Sequence, residues 1–220
     1  MGKSYIITGY YGSGKTEFSV NLAKKLAREN KKVTIADLDI INPYFRSRER
    51  VDFLSSLNID VVGGSLNNNT GQDMPAVSYS FLSEINKGND IIIDLAGSEQ
   101  GINLLANTYS FIKEYEFLCV LNSFRPETES SSKMIDFIRI INSKSKLNIN
   151  GLVNNGHMLH YTEDYHIIDS RNKILQASEI LNIPLKYTIA KSNIINNIDT
   201  SNWKEELIIF DKLEMREDWQ

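Results

Sequence analysis

Short apolar runs rich in β-branched residues recur along the chain: YIIT at 5–8, VTIA at 33–36, IDVV at 59–62, III at 91–93, FLCVL at 117–121, INGLV at 149–153 and LKYTI at 185–189. A run such as Ile91-Ile92-Ile93 does not alternate with polar residues, so both faces of the strand it forms need apolar cover. Between the runs, Phe18, Leu22 and Leu26 fall at helical spacing, and so do Ile174, Ser178 and Leu181. The pattern predicts an α/β fold: a mostly parallel central sheet of about seven strands with helices on both faces, in three layers. Asn67, Asn68 and Asn69, with Gly63-Gly64 before them and Gly71 after, read as a loop. The tail 201–220 carries an apolar patch at 207–210 flanked by charges, and is expected to form a helix that closes the domain or meets a partner.

Length and composition narrow this picture. A chain of 220 residues with 41% hydrophobic content can bury one substantial core, so a single domain over 1–220 is expected. The net charge of −4 comes without a lysine or arginine cluster, which argues against direct nucleic-acid binding. Residues 1–8 lack the long apolar region of a signal peptide, and no stretch of about 18 apolar residues occurs, so a cytoplasmic protein without a membrane span is expected. Cys119 is the sole cysteine, which excludes an intrachain disulfide and a cysteine metal cage.

Directly after the first run comes Gly9-Tyr10-Tyr11-Gly12-Ser13-Gly14-Lys15-Thr16, which fits G-x-x-x-x-G-K-[ST] and leads into a helical stripe. Glycines let such a loop curl so that successive N–H groups point inward, forming an anion nest at the positive end of the next helix. Gly9, Tyr11, Gly12, Ser13, Gly14, Lys15, Thr16 and Glu17 are therefore the expected nucleotide-binding stretch. Lys15 is expected to reach the β and γ phosphates, and Thr16 to give a hydroxyl ligand to Mg2+. This spacing predicts a P-loop NTPase fold binding a nucleotide.

Two acidic segments follow strands: Asp37-Leu38-Asp39, and Ile91-Ile92-Ile93-Asp94-Leu95-Ala96-Gly97, which has the Walker B form. With Gly151-Leu152-Val153-Asn154-Asn155 and Ile183-Pro184-Leu185 later, the chain resembles the MinD/ParA/CobQ-type nucleotide-binding proteins, and the nitrogenase iron protein in its order of motifs. The resemblance implies that Asp39 polarises or positions the attacking water and counts with Thr16 and Asp94 among the metal-binding residues, that Asp37 stiffens the switch, that Asp94 holds magnesium through a water, and that Gly97 approaches the γ-phosphate. Family members with a deviant Walker A loop carry a second lysine near its start; Tyr10 stands there in this chain. Losing that cation implies slow or partner-activated hydrolysis. Arg46 and Arg48, after Asp39, are candidates to replace it, in cis or across a homodimer.

Guanine recognition by N-K-x-D needs an aspartate, and Asn122-Ser123-Phe124-Arg125 lacks it. Adenine is therefore favoured. The resemblance places an asparagine on its edge, Asn155 or Asn154, with backbone near Ala190 and Lys191 on the other side. His157, His160 and His166 match no metal spacing and read as a polar surface loop. The expected function is an ATP-binding switch or slow ATPase that uses Mg2+ and acts on a protein partner. The alternative is a small-molecule kinase or ligase-like enzyme built on the same loop.

Overall fold

Strands covered on both faces keep their apolar side chains wherever they point, and this is how the sheet is built. The computed structural model describes residues 2–29, 31–38, 51–62, 81–85, 87–95 and 99–215. Asp39, Arg46, Arg48, Gly97, the loop around Asn67 and the tail beyond 215 lie outside the described residues. The elements in chain order are β1 (Ser4–Gly9), α1 (Lys15–Arg28), β2 (Val33–Leu38), α2 (Val51–Ser56), β3 (Ile59–Val62), β4 (Asp90–Leu95), α3 (Glu99–Thr108), β5 (Tyr115–Leu121), α4 (Ser131–Ser145), β6 (Gly151–Asn154), α5 (Asp164–Leu181), β7 (Leu185–Lys191), α6 (Ser192–Ile195) and β8 (Glu206–Phe210).

The strands form one sheet in the order β3-β2-β4-β1-β5-β6-β7-β8. Every neighbouring pair is parallel. Ile6 of β1 turns to one face, where Phe117 and Cys119 meet Met134 and Ile138 of α4 and Ile174 and Ala177 of α5. Its neighbours Tyr5 and Ile7 turn to the other face, against Phe18, Leu22 and Leu26 of α1. The expected α1 stripe is therefore core, and each such fully buried side chain contributes about 1.5–3 kcal/mol.

The tail departs from the expectation. Residues 206–210 are not helical but form β8, an eighth strand paired in parallel with β7 from Tyr187–Glu206 to Lys191–Phe210. Four consecutive apolar residues between charges are too few for a helical stripe and enough for an edge strand, whose Ile208 is buried while Glu206 and Ile209 are exposed.

β1 lies between β4 and β5, so the chain leaves it toward one side of the sheet and later returns on the other. The carboxyl end of β1 thus opens onto the crevice where parallel sheets of this kind take ligands.

Candidate functional site

The loop after β1 is shaped by its glycines. Gly14, with φ +86°, is the N-cap of α1, and its carbonyl accepts the helix's first hydrogen bond, from the Phe18 N–H (3.0 Å). A Cβ on Gly14 would come within 2.1 Å of Asn155 Nδ2, so no other residue fits there without displacing that amide. Ser13 N–H donates to the Tyr10 carbonyl (3.1 Å), which closes the turn. The first-turn amides of α1 have no acceptor within the helix and carry its positive dipole end, a setting made for an anion. Lys15 is buried, with Nζ 3.3 Å from the Tyr10 carbonyl.

Two side chains from across the sheet hold the loop's rim. Asn155, just after β6, donates from Nδ2 to the Ser13 carbonyl (2.7 Å). Arg125, after β5, donates from Nε to the Gly12 carbonyl (3.0 Å). In the sequence Arg125 stands where N-K-x-D has its aspartate, and its place in the loop that follows β5, a strand flanking β1, is the signal for its contact with the phosphate loop.

A cleft of about 140 Å³ opens beside the loop. Gly12, Gly14, Lys15 and Thr16 form one end. Asn155, His157 and Leu159 form the side after β6, and Ile189, Ala190, Lys191 and Ile194 the side after β7. Phe210, Leu213 and Met215 close the remaining wall. Of the residues named from the sequence, the structure places Gly12, Gly14, Lys15, Thr16, Glu17, Asn155, Ala190 and Lys191 around this one cleft.

Several expected residues do not bring their side chains to this cleft. Asn154 is fully buried and turned inward, its amide donating to the Ile167 carbonyl (3.2 Å) and its Oδ1 accepting from Gly156 N–H. Successive residues at the end of β6 face opposite ways, so only Asn155 reaches the loop. The Tyr11 side chain is 67% exposed, leaving its backbone as the part that belongs to the loop. Glu17 borders the cleft, yet its carboxylate accepts from the backbone N–H groups of Glu214 (3.0 and 3.2 Å) and Met215 (3.0 Å) and from Asn21 Nδ2 (2.8 Å). Burial pushes its carboxyl above the usual range, against the lowering by those donors.

Asn122 is buried and structural: its Oδ1 accepts from the Phe124 and His157 N–H groups, and its amide donates to the His157 carbonyl (3.0 Å). It ties the loops after β5 and β6 together and so places His157 on the cleft wall. The three histidines do not form one surface loop. His157 lines the cleft, and buried His166 accepts the Glu163 N–H at the start of α5 (3.0 Å), whereas His160 sits in the 3-10 turn Leu159–Tyr161.

On the other side of the loop, Asp94 ends β4 fully buried, in register with Ile7 of β1 and with Asp37 of β2. Tyr10 sets its ring edge-on to Phe137 of α4 at 5.8 Å. The hydroxyl of Thr16 and the buried carboxylate of Asp94 are hard oxygen donors, the kind magnesium takes, and the first-turn amides of α1 are the donors a phosphate takes.

Residues 6–197 match the family model for the CobQ/CobB/MinD/ParA nucleotide binding domain. Among curated proteins no sequence matches. Solved structures share the fold at low identity. The cell division protein FtsY of Thermotoga maritima is 21% identical with a TM-score of 0.58, over 86% of this chain and 61% of that one. FtsY of Mycoplasma mycoides is 19% identical with a TM-score of 0.58, over 84% and 59%. The signal recognition particle 54 kDa protein of Aeropyrum pernix, solved with GDP, is 14% identical with a TM-score of 0.61, over 97% and 43%. The chain therefore spans about three fifths of the FtsY structures. Among the described residues no helix is long and apolar enough to cross a membrane.

Proposed function

Because the chain belongs to the CobQ/CobB/MinD/ParA nucleotide-binding family, we propose that its loop and cleft bind ATP with magnesium and that it is a slow or partner-activated ATPase working as a nucleotide switch. The observation that carries the choice of base is the cleft wall. Among its described residues Glu17 is the sole acid, and that carboxylate is taken up by backbone N–H groups. Guanine is selected by an acceptor for its N1–H and exocyclic amine. A wall of Ile189, Ala190, Ile194 and Leu159, with amide and imidazole groups at Asn155 and His157, suits adenine, which apolar contacts and a few polar groups can hold.

In this reading Lys15 neutralises the β and γ phosphates, which the first-turn amides of α1 also bind. Thr16, Asp39 and Asp94 would hold magnesium, which would supply charge neutralisation at the phosphates; Asp39 would also orient the attacking water and Gly97 would approach the γ-phosphate. Tyr10, an aromatic ring packed on Phe137, contributes no cation, which supports slow turnover. The segment from Asp39 through Arg46 and Arg48 is the proposed switch, read by a protein partner or a second copy of the chain.

Phosphate release and calorimetric binding with Mg·ATP and Mg·GTP test this in the wild type, Lys15→Ala and Asp39→Ala. ATP is expected to bind in preference. Lys15→Ala should abolish binding, and Asp39→Ala should bind while turning over on the order of 100-fold more slowly. Preferential GTP binding would overturn the base assignment, and unchanged turnover in Asp39→Ala its role.

A further inference from the structure

The wall of the cleft opposite β6 is made by the stretch that follows β8, and it is fastened to the helix that begins at the phosphate loop. Leu213 and Met215 line the cleft, and Met215 is buried. Between them, Glu214 is tied twice. Its N–H and that of Met215 donate to the Glu17 carboxylate, and its own buried carboxylate pairs with Lys24, two turns further along α1. Asn21, between Glu17 and Lys24 on the same helix, donates from Nδ2 to the Glu17 carboxylate and to the Glu17 carbonyl (2.9 Å), fixing its rotamer. A carboxylate accepting two backbone N–H groups and a side-chain amide in a buried setting is a strong and directional anchor.

Glu17 is the residue directly after Thr16. A half-buried acid beside a phosphate site would repel the ligand if its charge faced the phosphates. Here the charge is directed instead to two amides of a distant segment, whose apolar side chains then face the cleft.

We propose that residues 211–215 form a strap that grips the nucleoside end of the nucleotide, and that Glu17 is the positioning residue that latches the strap to α1. The proposal rests on the nucleotide reading above and deepens it. Phosphates are held at the loop by Lys15 and the helix amides, and the nucleoside is held by a wall whose placement depends on Glu17. Latch and strap therefore govern affinity for the nucleoside and leave that for the phosphate chain unaltered.

The test compares Mg·ATP with Mg·tripolyphosphate, which has the phosphates and no nucleoside, by calorimetry on the full chain. Glu17→Gln is expected to weaken ATP about tenfold and to leave tripolyphosphate within about twofold. Leu213→Ala, which removes wall surface and keeps the latch, should weaken ATP severalfold and decides the matter if Glu17→Gln does not fold. In the wild type, Mg·ATP should also slow hydrogen exchange at the Glu214 and Met215 amides. Equal losses for both ligands in Glu17→Gln would mean that it acts through the phosphate loop, and would overturn the strap. Unchanged ATP affinity in both variants, or unchanged exchange, would overturn it too. A wild type that binds tripolyphosphate as tightly as ATP defeats the strap alone, and one that binds neither defeats the nucleotide reading beneath it.

Discussion

Gly14 shows how one backbone angle can carry a site. At φ +86° an L side chain is strained by roughly 1–2 kcal/mol, and its Cβ would also strike the Asn155 amide that grips the Ser13 carbonyl. Gly14→Ala should lower stability by about that amount in chemical denaturation and weaken nucleotide binding at least tenfold, by an order-of-magnitude reckoning from one lost buried hydrogen bond and a displaced loop. A variant with native affinity would show that the Asn155 contact is dispensable. At this scale the sequence motif specified the backbone better than the side chains. It marked the loop residue by residue, but a pattern of types cannot say that Tyr11 points to solvent, that Glu17 reaches the residues after β8, or that Asn154 and Asn155 face opposite ways. His157 carries no motif and reads in the sequence as part of a polar surface loop, because what brings it to the cleft is Asn122, a contact between loops distant in sequence.

The element least legible beforehand, β8, is held by a contact that no local pattern reveals. Arg171 of α5 donates from Nε and Nη2 to the two oxygens of Glu205 (2.5 and 2.9 Å), just before the strand, and its guanidinium lies 4.3 Å over the Trp203 ring. Thr188 of β7 also donates to Glu205 (3.1 Å). Burial alone would push the Glu205 carboxyl up; the Arg171 and Thr188 hydrogen bonds outweigh it and hold the group below the usual carboxylate range. A carboxyl depressed by folding adds stability above its unfolded pKa and loses it as pH falls through the lower folded value. Stability should therefore decline on acidification below the ordinary glutamate range. Arg171→Ala should cost roughly 3 kcal/mol at neutral pH and flatten that decline. Denaturant midpoints across pH 2 to 7, reference conditions chosen to bracket ordinary carboxylate pKa values, check both; an unaltered acid limb in the variant would assign it to other groups. The inner strands are readable because two-sided burial writes itself as apolar runs, and the edge strand β3 through its β-branched Ile59, Val61 and Val62. An edge strand is buried on fewer sides, and its short run carries no such signature.

For the molecule as a whole, the α/β class could be read from the chain while the strand order could not. Order depends on which runs end up side by side, and β1 takes its neighbours from far along the sequence: Ser4 pairs with Ile91 on one side and Tyr115 on the other. Cys119 of β5, paired with Thr8 of β1, reports on the integrity of this centre. It is fully buried, and burial pushes its thiol up to about 12. A thiol reagent should label it only through unfolding, with Mg·ATP slowing the reaction by stabilising the folded state. Labelling at the rate of a free thiol under native conditions would contradict a closed core. The same arrangement bears on synthesis. The loop leaves the ribosome before either strand that flanks β1, so a nascent chain carries its anion-binding sequence with no sheet beneath it. Capture of nucleotide must then wait for β4 and β5, which ties the onset of ligand binding to the emergence of the chain through Leu121.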